Sequence, residues 1–126
     1  MLNTQLKQVR SFYKAFSIPF NIEPTNISKD RYILRNELMD EENSEYLLAC
    51  KENNLTEIAD ALGDELFILC GTILEHGMQY KIAEVFAEIA RSNMSKLDEN
   101  GKPIYRNDGK VMKSKGYFKP DFSRIL

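Results

Sequence analysis

The sequence predicts an all-α protein, a four-helix bundle followed by an irregular or short β-hairpin C-terminal tail. Two observations support this fold class. Apolar residues recur at helical spacing in four segments between residues 2 and 93. After Asn93 this periodicity is lost, and the tail instead contains Asn-Gly and Asp-Gly pairs, which are typical of turns. We expect one domain over residues 1–126, with the bundle in 1–93 and the tail in 94–126.

The first two helices are predicted on either side of a proline-containing loop. The first covers residues 2–16, where Leu6, Val9 and Phe12 fall at helical spacing. Two prolines then indicate an extended loop. The second helix is predicted from about residue 28 to Lys51, because two asparagines follow shortly after and break the helical pattern.

The third helix is predicted from Leu55 to His76, with Asn54 as its N-cap and Gly77 past its end. Opposite its acidic residues it carries an apolar stripe, which consists of Leu62, Leu66, Leu69 and Ile73. A helix that is apolar on nearly all sides is enclosed by others. We therefore expect the bundle to complete itself by oligomerising, as a homodimer or homotetramer.

The fourth helix and the tail complete the chain. The fourth helix is predicted over roughly residues 80–93, with Ile82, Val85 and Ile89 turned inward. In the tail, the turn-forming run 107–109 lies between two short segments, and this arrangement predicts a β-hairpin.

The composition argues against several classes of function. A net charge of −2 and a pI near 5.5 are not those of a nucleic-acid-binding domain. No apolar run reaches the roughly 20 residues that a membrane span needs. Cys50 and Cys70 form no disulfide framework, so we expect a reducing, cytoplasmic setting. The single histidine, His76, argues against most zinc and haem chemistry.

Acidic residues interrupt the apolar stripes of the second and third helices. Glu42 and Glu45 continue a line of leucines on the second helix, and Asp60 and Asp64 are one turn apart on the third. Carboxylates are rarely buried unless they are paired or bind a cation. Magnesium prefers oxygen ligands and commonly lies between carboxylates and substrate phosphates. The two clusters therefore predict a magnesium-dependent enzyme.

Each acid also has a purely structural interpretation. Glu41 could be a solvated helix residue, and Glu57 stands three residues after Asn54, as in a capping box. Other metals fit less well. A di-iron bundle requires Glu-x-x-His pairs, which are absent from the sequence. A calcium loop starting at Asp98 would require glycine where Pro103 stands.

With both clusters placed, the chain resembles the all-α nucleoside triphosphate pyrophosphohydrolases, the MazG-like and phosphoribosyl-ATP pyrophosphohydrolase-like group. Members carry Glu-Glu-x-x-Glu on one helix and Glu-x-x-Asp on the next. Residues 41–45 match the first motif in full. Residues 57–60 fit the second literally, whereas Asp64 occupies the position just ahead of the apolar stretch, which leaves the role of Glu57 open. The segments 91–96 and 108–121 resemble a subgroup with dUTPase-like members.

The resemblance implies a fold of MazG-like type and hydrolysis of a nucleoside triphosphate between its α and β phosphates. The products would be the monophosphate and pyrophosphate, and dUTP or a damaged nucleotide would be the substrate. Glu41 would be the base that activates water. The resemblance further implies Mg²⁺, or Mn²⁺, bound by Glu42, Glu45, Asp60 and Asp64.

Residues outside the acidic clusters are also implied to contact the substrate. Asn93 and Lys96 would face the phosphates, although both residue types also favour helix C-termini for structural reasons. Phe16 or Phe20 would stack on the nucleobase, although aromatic residues at helical spacing are often part of a core.

Two alternative functions remain open at the level of sequence. The chain could be a phosphoribosyl-ATP pyrophosphohydrolase acting in histidine synthesis, with the same chemistry on another substrate. It could also be a non-catalytic helical oligomerisation module in which the acids bind a structural ion or a basic partner.

Overall fold

The computed structural model describes residues 2–126, and within this range it contains four α-helices and no strand. The predicted all-α fold class is confirmed. Each helix begins and ends within two residues of its predicted bounds. The helices are α1 (Asn3–Ala15), α2 (Lys29–Lys51), α3 (Leu55–Glu75) and α4 (Ile82–Met94).

Both ends of α3 are determined by single residues. At its start, Asn54 Oδ1 accepts a hydrogen bond from the Glu57 backbone N–H at 3.2 Å, which satisfies one free helix donor. At its end, Gly77 has a φ of +66° and donates its N–H to the Leu74 carbonyl at 3.0 Å. A Cβ atom on Gly77 would lie 2.0 Å from the Glu23 carbonyl oxygen. Glycine is therefore required there by both conformation and space.

The core lies where α3 packs against α1 and α2. From α1, Leu6, Val9 and Tyr13 are buried. The buried apolar residues of α3 are Ala61, Cys70, Ile73 and Leu74. From α2 only Arg35 and Ala49 are buried among the described residues. The α1–α3 contact is therefore mostly apolar, whereas α2 contributes little apolar burial.

The predicted apolar stripe of α3 is largely exposed in a single copy of the chain. Leu62, Leu66 and Leu69 are 50, 39 and 45% exposed, whereas Ile73 is buried at 7%. The enclosure expected for α3 is thus only partly provided by α1 and α2.

The chain divides into two compact units, one ending at Tyr80 and the other comprising Lys81–Leu126. The predicted organisation grouped α4 with the first three helices, whereas the division places it with the tail. Within the second unit, the buried Ser92 donates to the Phe118 carbonyl at 2.8 Å, and the Arg91 guanidinium lies 4.4 Å from the Phe118 ring centroid. These contacts attach the tail to α4. That residues 1–126 form one domain stays a prediction.

The tail turns at the predicted position but does not form a two-stranded hairpin. Gly109 has a φ of +87°, and the Arg106 N–H donates to the Lys110 carbonyl at 2.8 Å. Beyond this turn, one antiparallel bridge joins Tyr105 to Val111. The Met112 N–H also donates to the Ile104 carbonyl at 2.7 Å, but no strand longer than this bridge forms, so the described tail is irregular.

Two further expectations concerned disulfides and membrane-spanning helices. Cys50 and Cys70 are both free thiols, and burial raises the pKa of Cys70. In the described part of the chain, no helix has both the length and the apolar character that crossing a membrane requires.

Candidate metal centre

The helices α2 and α3 run antiparallel, so that residues early in α2 face residues late in α3. Arg35 contacts Thr72, and Glu42 lies beside Asp64. On each helix these positions are two turns apart, and the same face of α2 therefore stays against α3 along this length. This alignment brings the acidic clusters of the two helices together.

Three carboxylates converge between the helices. Glu42 and Glu45 from α2 and Asp64 from α3 each offer an oxygen atom, and these atoms lie within 4.8 Å of one another. Glu42 is half-buried, whereas Glu45 and Asp64 are exposed, contrary to the burial expected from the apolar stripes. We call these residues the acid triad. Each ion pair found among residues 2–126 lies elsewhere, so no base neutralises the triad. Three carboxylate oxygens that no base neutralises form a set of ligands suited to a hard divalent cation.

Glu42 combines a buried carboxylate oxygen with a raised pKa. Its Oε2 atom is buried and has no hydrogen-bond partner in the described structure. Desolvation raises the pKa of Glu42 to about 7, and the hydrogen bond to and charge of Glu45 and the charges of Asp64 and Glu41 contribute further. A buried acceptor without a partner is costly. Binding of a cation would relieve this cost, and the residues present therefore fit a metal ion.

Asp60 is not part of the acid triad. It lines a cleft of about 300 Å³ between α2 and α3, together with Glu45, Glu52 and Glu57. The predicted set of four acids is thus divided between the triad and this neighbouring cleft, and Glu45 belongs to both.

Two other acids, Glu57 and Glu52, also line this cleft. The Glu57 carboxylate completes no capping box among the described residues, because the Asn54 N–H donates to the Ala49 carbonyl instead, at 3.0 Å. Glu57 therefore keeps its carboxylate available to the cleft. Glu52 was missed by the sequence reasoning. Its signal is a spacing of seven residues from Glu45, which places both on one face of α2.

Glu41 lies beside the triad but outside it. Its side chain is exposed on α2, and its charge is one of the causes that raise the pKa of Glu42. It is thus close enough to influence the triad electrostatically without contributing one of the converging oxygens.

Phe16 belongs to a small aromatic cluster on the surface of the first unit. It is 66% exposed, and its ring centroid lies 4.5 Å from that of Phe12. Phe12 in turn meets Phe67 edge to face at 5.3 Å. Since Phe67 is one turn after Asp64 on α3, the cluster borders the side of that helix on which the acid lies. Phe20 instead is half-buried against the Tyr13 ring, at 6.4 Å.

Asn93 and Lys96 lie at the end of α4. The Lys96 N–H donates to the Asn93 carbonyl at 3.1 Å, which holds the two residues close together. Asn93 is exposed and Lys96 is half-buried. The acid triad is built within the first unit, and these two residues belong to the second.

Comparison with known proteins gives a match to one family. Residues 9–93 match the phosphoribosyl-ATP pyrophosphohydrolase family, a range that spans α2, α3 and the acid triad. Among solved structures, a candidate NTP pyrophosphohydrolase from Exiguobacterium sp. 255-15 is 26% identical with a TM-score of 0.46, over 92% of this chain and 88% of that one. No curated protein matches the chain.

Proposed function

Because the chain belongs to the phosphoribosyl-ATP pyrophosphohydrolase family, we propose that it hydrolyses a nucleoside triphosphate between the α and β phosphates. The products are the nucleoside monophosphate and pyrophosphate. Family membership supports a pyrophosphohydrolase activity in general. The observation that carries the more specific proposal is the acid triad, whose oxygens lie within 4.8 Å of one another without a neutralising base.

The proposed cofactor is Mg²⁺, with Mn²⁺ as a substitute. Glu42, Glu45 and Asp64 would hold it, and Asp60 would contribute from the adjoining cleft. When bound, the ion neutralises negative charge on the phosphate oxygens of the substrate. Glu42 must give up its proton before it can act as a ligand, because only the ionised carboxylate binds metal well. Its pKa is raised to about 7 in the metal-free chain, so metal binding should strengthen as pH rises through neutrality.

Glu41 is the proposed general base. It is exposed, adjacent in sequence to a triad member, and does not itself contribute an oxygen to the triad. Its carboxylate is therefore free to accept a proton from the attacking water.

The other proposed substrate contacts come from residues outside the acids. Lys96 would supply a positive charge and Asn93 a hydrogen bond to the phosphates. Phe16 would stack on the nucleobase, because its exposed ring forms a two-ring surface with Phe12. We propose dUTP or a non-canonical nucleotide as the substrate, which would make the protein a house-cleaning enzyme. The family itself favours phosphoribosyl-ATP as the second candidate.

We further propose that a second copy of the chain covers the apolar stripe of α3, giving a homodimer or a homotetramer. Leu62, Leu66 and Leu69 are each between 39 and 50% exposed on one face, and contiguous apolar patches of this kind commonly mark interfaces. Light scattering coupled to size exclusion should then give at least twice the 14.6 kDa chain mass. The free thiols suit a reducing, cytoplasmic setting.

Pyrophosphate release tests the proposed reaction directly. The protein is incubated with Mg²⁺ and a panel of canonical, deoxy and modified nucleoside triphosphates that includes dUTP, and phosphoribosyl-ATP forms a separate arm. We expect release from one or a few substrates, the monophosphate as second product, and no release in EDTA. Asp64→Asn should be inactive, whereas the matched variant Glu37→Gln, at an exposed position of α2, should be fully active.

The outcomes separate the alternatives. Turnover of phosphoribosyl-ATP alone would assign the second candidate substrate. If no substrate releases pyrophosphate but the protein still binds Mn²⁺, the result would favour a non-catalytic module that binds a structural ion. If there is neither turnover nor Mn²⁺ binding, the proposal is wrong.

A further inference from the structure

A buried ion-pair cluster joins all three helices of the first unit, and it is separate from the acid triad. Glu75, in the last turn of α3, is only 2% exposed. Its Oε1 accepts from Arg31 Nε at 2.8 Å, and its Oε2 accepts from Tyr13 Oη at 2.5 Å. Arg35 Nη1 completes the group at 3.3 Å from Oε2. We call these four residues the Glu75 cluster.

Arg35 makes the most extensive contacts of the cluster. Its Nη2 donates to the Ile68 carbonyl at 2.7 Å, and its Nε donates to Thr72 Oγ1 at 3.0 Å. Together with Glu75, these partners occupy positions i, i+4 and i+7 on one face of α3. A guanidinium is planar and directs its donors rigidly. Its three contacts therefore define where Arg35 lies along α3.

The remainder of the α2–α3 contact cannot define this position equally well. Besides Arg35, Ala49 is the only residue of α2 that is buried in the described structure, and the part-exposed Arg31 adds one directional contact to α3, its ion pair with Glu75 at 2.8 Å. Burial of a small apolar side chain is non-directional and tolerates sliding. Arg35 makes three directional contacts with α3 and Arg31 makes one, so Arg35 contributes most to the register between the two helices.

The register decides whether the acid triad exists. Glu42 lies seven residues after Arg35, a rise of about 10.5 Å, and Asp64 lies eight residues before Thr72, about 12 Å. A slip of one turn would move α2 by about 5.4 Å along α3. That shift exceeds the 4.8 Å within which the triad oxygens lie. Glu42 and Glu45 would then no longer both face Asp64.

From these contacts we infer that Arg35 is a positioning residue: by fixing the register of α2 on α3, it holds Glu42 and Glu45 opposite Asp64. The inference rests on the proposed function, because it takes the acid triad to be the metal site. It assigns to Arg35 no contact with metal or substrate. Its effect on catalysis is transmitted through the triad alone.

Gly71 provides the space that this arrangement requires. A Cβ atom at this position would lie 2.6 Å from Tyr13 Oη and 2.8 Å from Arg35 Nη2. Glycine is disfavoured in the interior of a helix. Its presence within α3 is explained by the close approach of the Arg35 guanidinium and the Tyr13 phenol.

Mn²⁺ affinity, measured by calorimetry on the full chain without nucleotide, tests the inference. Arg35→Lys keeps the positive charge but loses the three-way contact, and it should weaken Mn²⁺ binding on the order of tenfold or more. Thr72→Val removes one of the three contacts and should weaken binding by less. Tyr13→Phe is the matched control. It removes a hydrogen bond to Glu75 from α1, and it should lower Tm without changing Mn²⁺ affinity.

Mn²⁺ affinity and Tm together distinguish a positioning role of Arg35 from a purely structural one. If Arg35→Lys lowers Tm as Tyr13→Phe does but binds Mn²⁺ like the parent, Arg35 is merely structural and the inference is wrong. If Arg35→Lys does not fold, Thr72→Val decides, and an unchanged Mn²⁺ affinity in that variant overturns the inference. A parent chain that does not bind Mn²⁺ would overturn the proposed function itself, together with this inference.

Discussion

Asp64 of the acid triad and Glu75 of the Glu75 cluster lie on the same helix, α3, in opposite environments. In the triad, three carboxylates lie within 4.8 Å of one another, and no base is paired with them. In the cluster, the single carboxylate of Glu75 is buried and contacts two arginines and a tyrosine. A carboxylate within a fold is commonly paired when its role is structural. The Glu75 carboxylate is thus neutralised within the fold, whereas the triad carboxylates have no base paired with them among the described residues.

The two environments shift pKa values in opposite directions. Desolvation and neighbouring acids raise the pKa of Glu42 to about 7. Burial alone would also raise the pKa of Glu75, but the hydrogen bonds from Arg31 and Tyr13 and the charge of Arg35 lower it below its ordinary value. Partners, rather than burial, thus decide the sign of the shift. Glu42 therefore holds its proton to higher pH than Glu75, which stays ionised.

Disrupting the triad should have the largest effect, and it should affect activity rather than folding. In Glu42→Gln, turnover should fall by about a thousandfold or more, because a bound metal contributes several kcal/mol to the transition state. Thermal stability in EDTA should be unchanged or higher, since repulsion among the acids is relieved. Steady-state pyrophosphate release and thermal unfolding measure the two quantities.

Glu37→Gln is the control for this prediction, because it makes the same chemical change at an exposed position of α2. It should leave both turnover and Tm as in the parent. If Glu42→Gln is inactive and also strongly destabilised, the contrast between the acid triad and the Glu75 cluster is wrong, because Glu42 would then have a structural role like that of Glu75.

Disrupting the Glu75 cluster should have the reverse effect, a loss of folding stability. Glu75→Gln leaves Arg31 and Arg35 without a buried counter-charge, and this should destabilise the chain by about 3–5 kcal/mol. Urea unfolding followed by circular dichroism measures the change. A loss below about 1 kcal/mol would place this pairing among ordinary surface ion pairs. The same measurement on Glu37→Gln provides the baseline.

The sequence predicted the triad better than the cluster, because the triad depends on local spacing. Glu42 and Glu45 are three residues apart, so helical periodicity alone places them on one face. Whether Asp60 or Asp64 faces them could not be predicted in the same way, since these two are also one turn apart. The choice depends on the register of α2 against α3, which the contacts of Arg35 determine in three dimensions.

The Glu75 cluster left no local pattern in the sequence. Glu75 lies 62 residues from Tyr13 and 44 from Arg31, and an acid near the end of a helix looks like a solvated residue. The helix bounds, in contrast, follow from signals beside each end, such as Asn54 and Gly77. The exposure of the α3 stripe likewise depends on what α1 and α2 leave uncovered, which no spacing reveals.

The smallest expected effect is a pH dependence with opposite signs at the two regions. Between its ordinary pKa of 4.5 and the folded value of about 7, Glu42 holds a proton in the folded chain that the unfolded chain has released. The metal-free fold therefore loses stability as pH rises through this window. Glu75 has a lowered pKa, so its contribution is present above 4.5 and is lost as pH falls below that value.

In EDTA, Tm should fall by on the order of a few degrees between pH 5 and 8. Glu42→Gln should reduce this slope while the decline at acid pH remains, and equal slopes in variant and parent would show that Glu42 is not the titrating group.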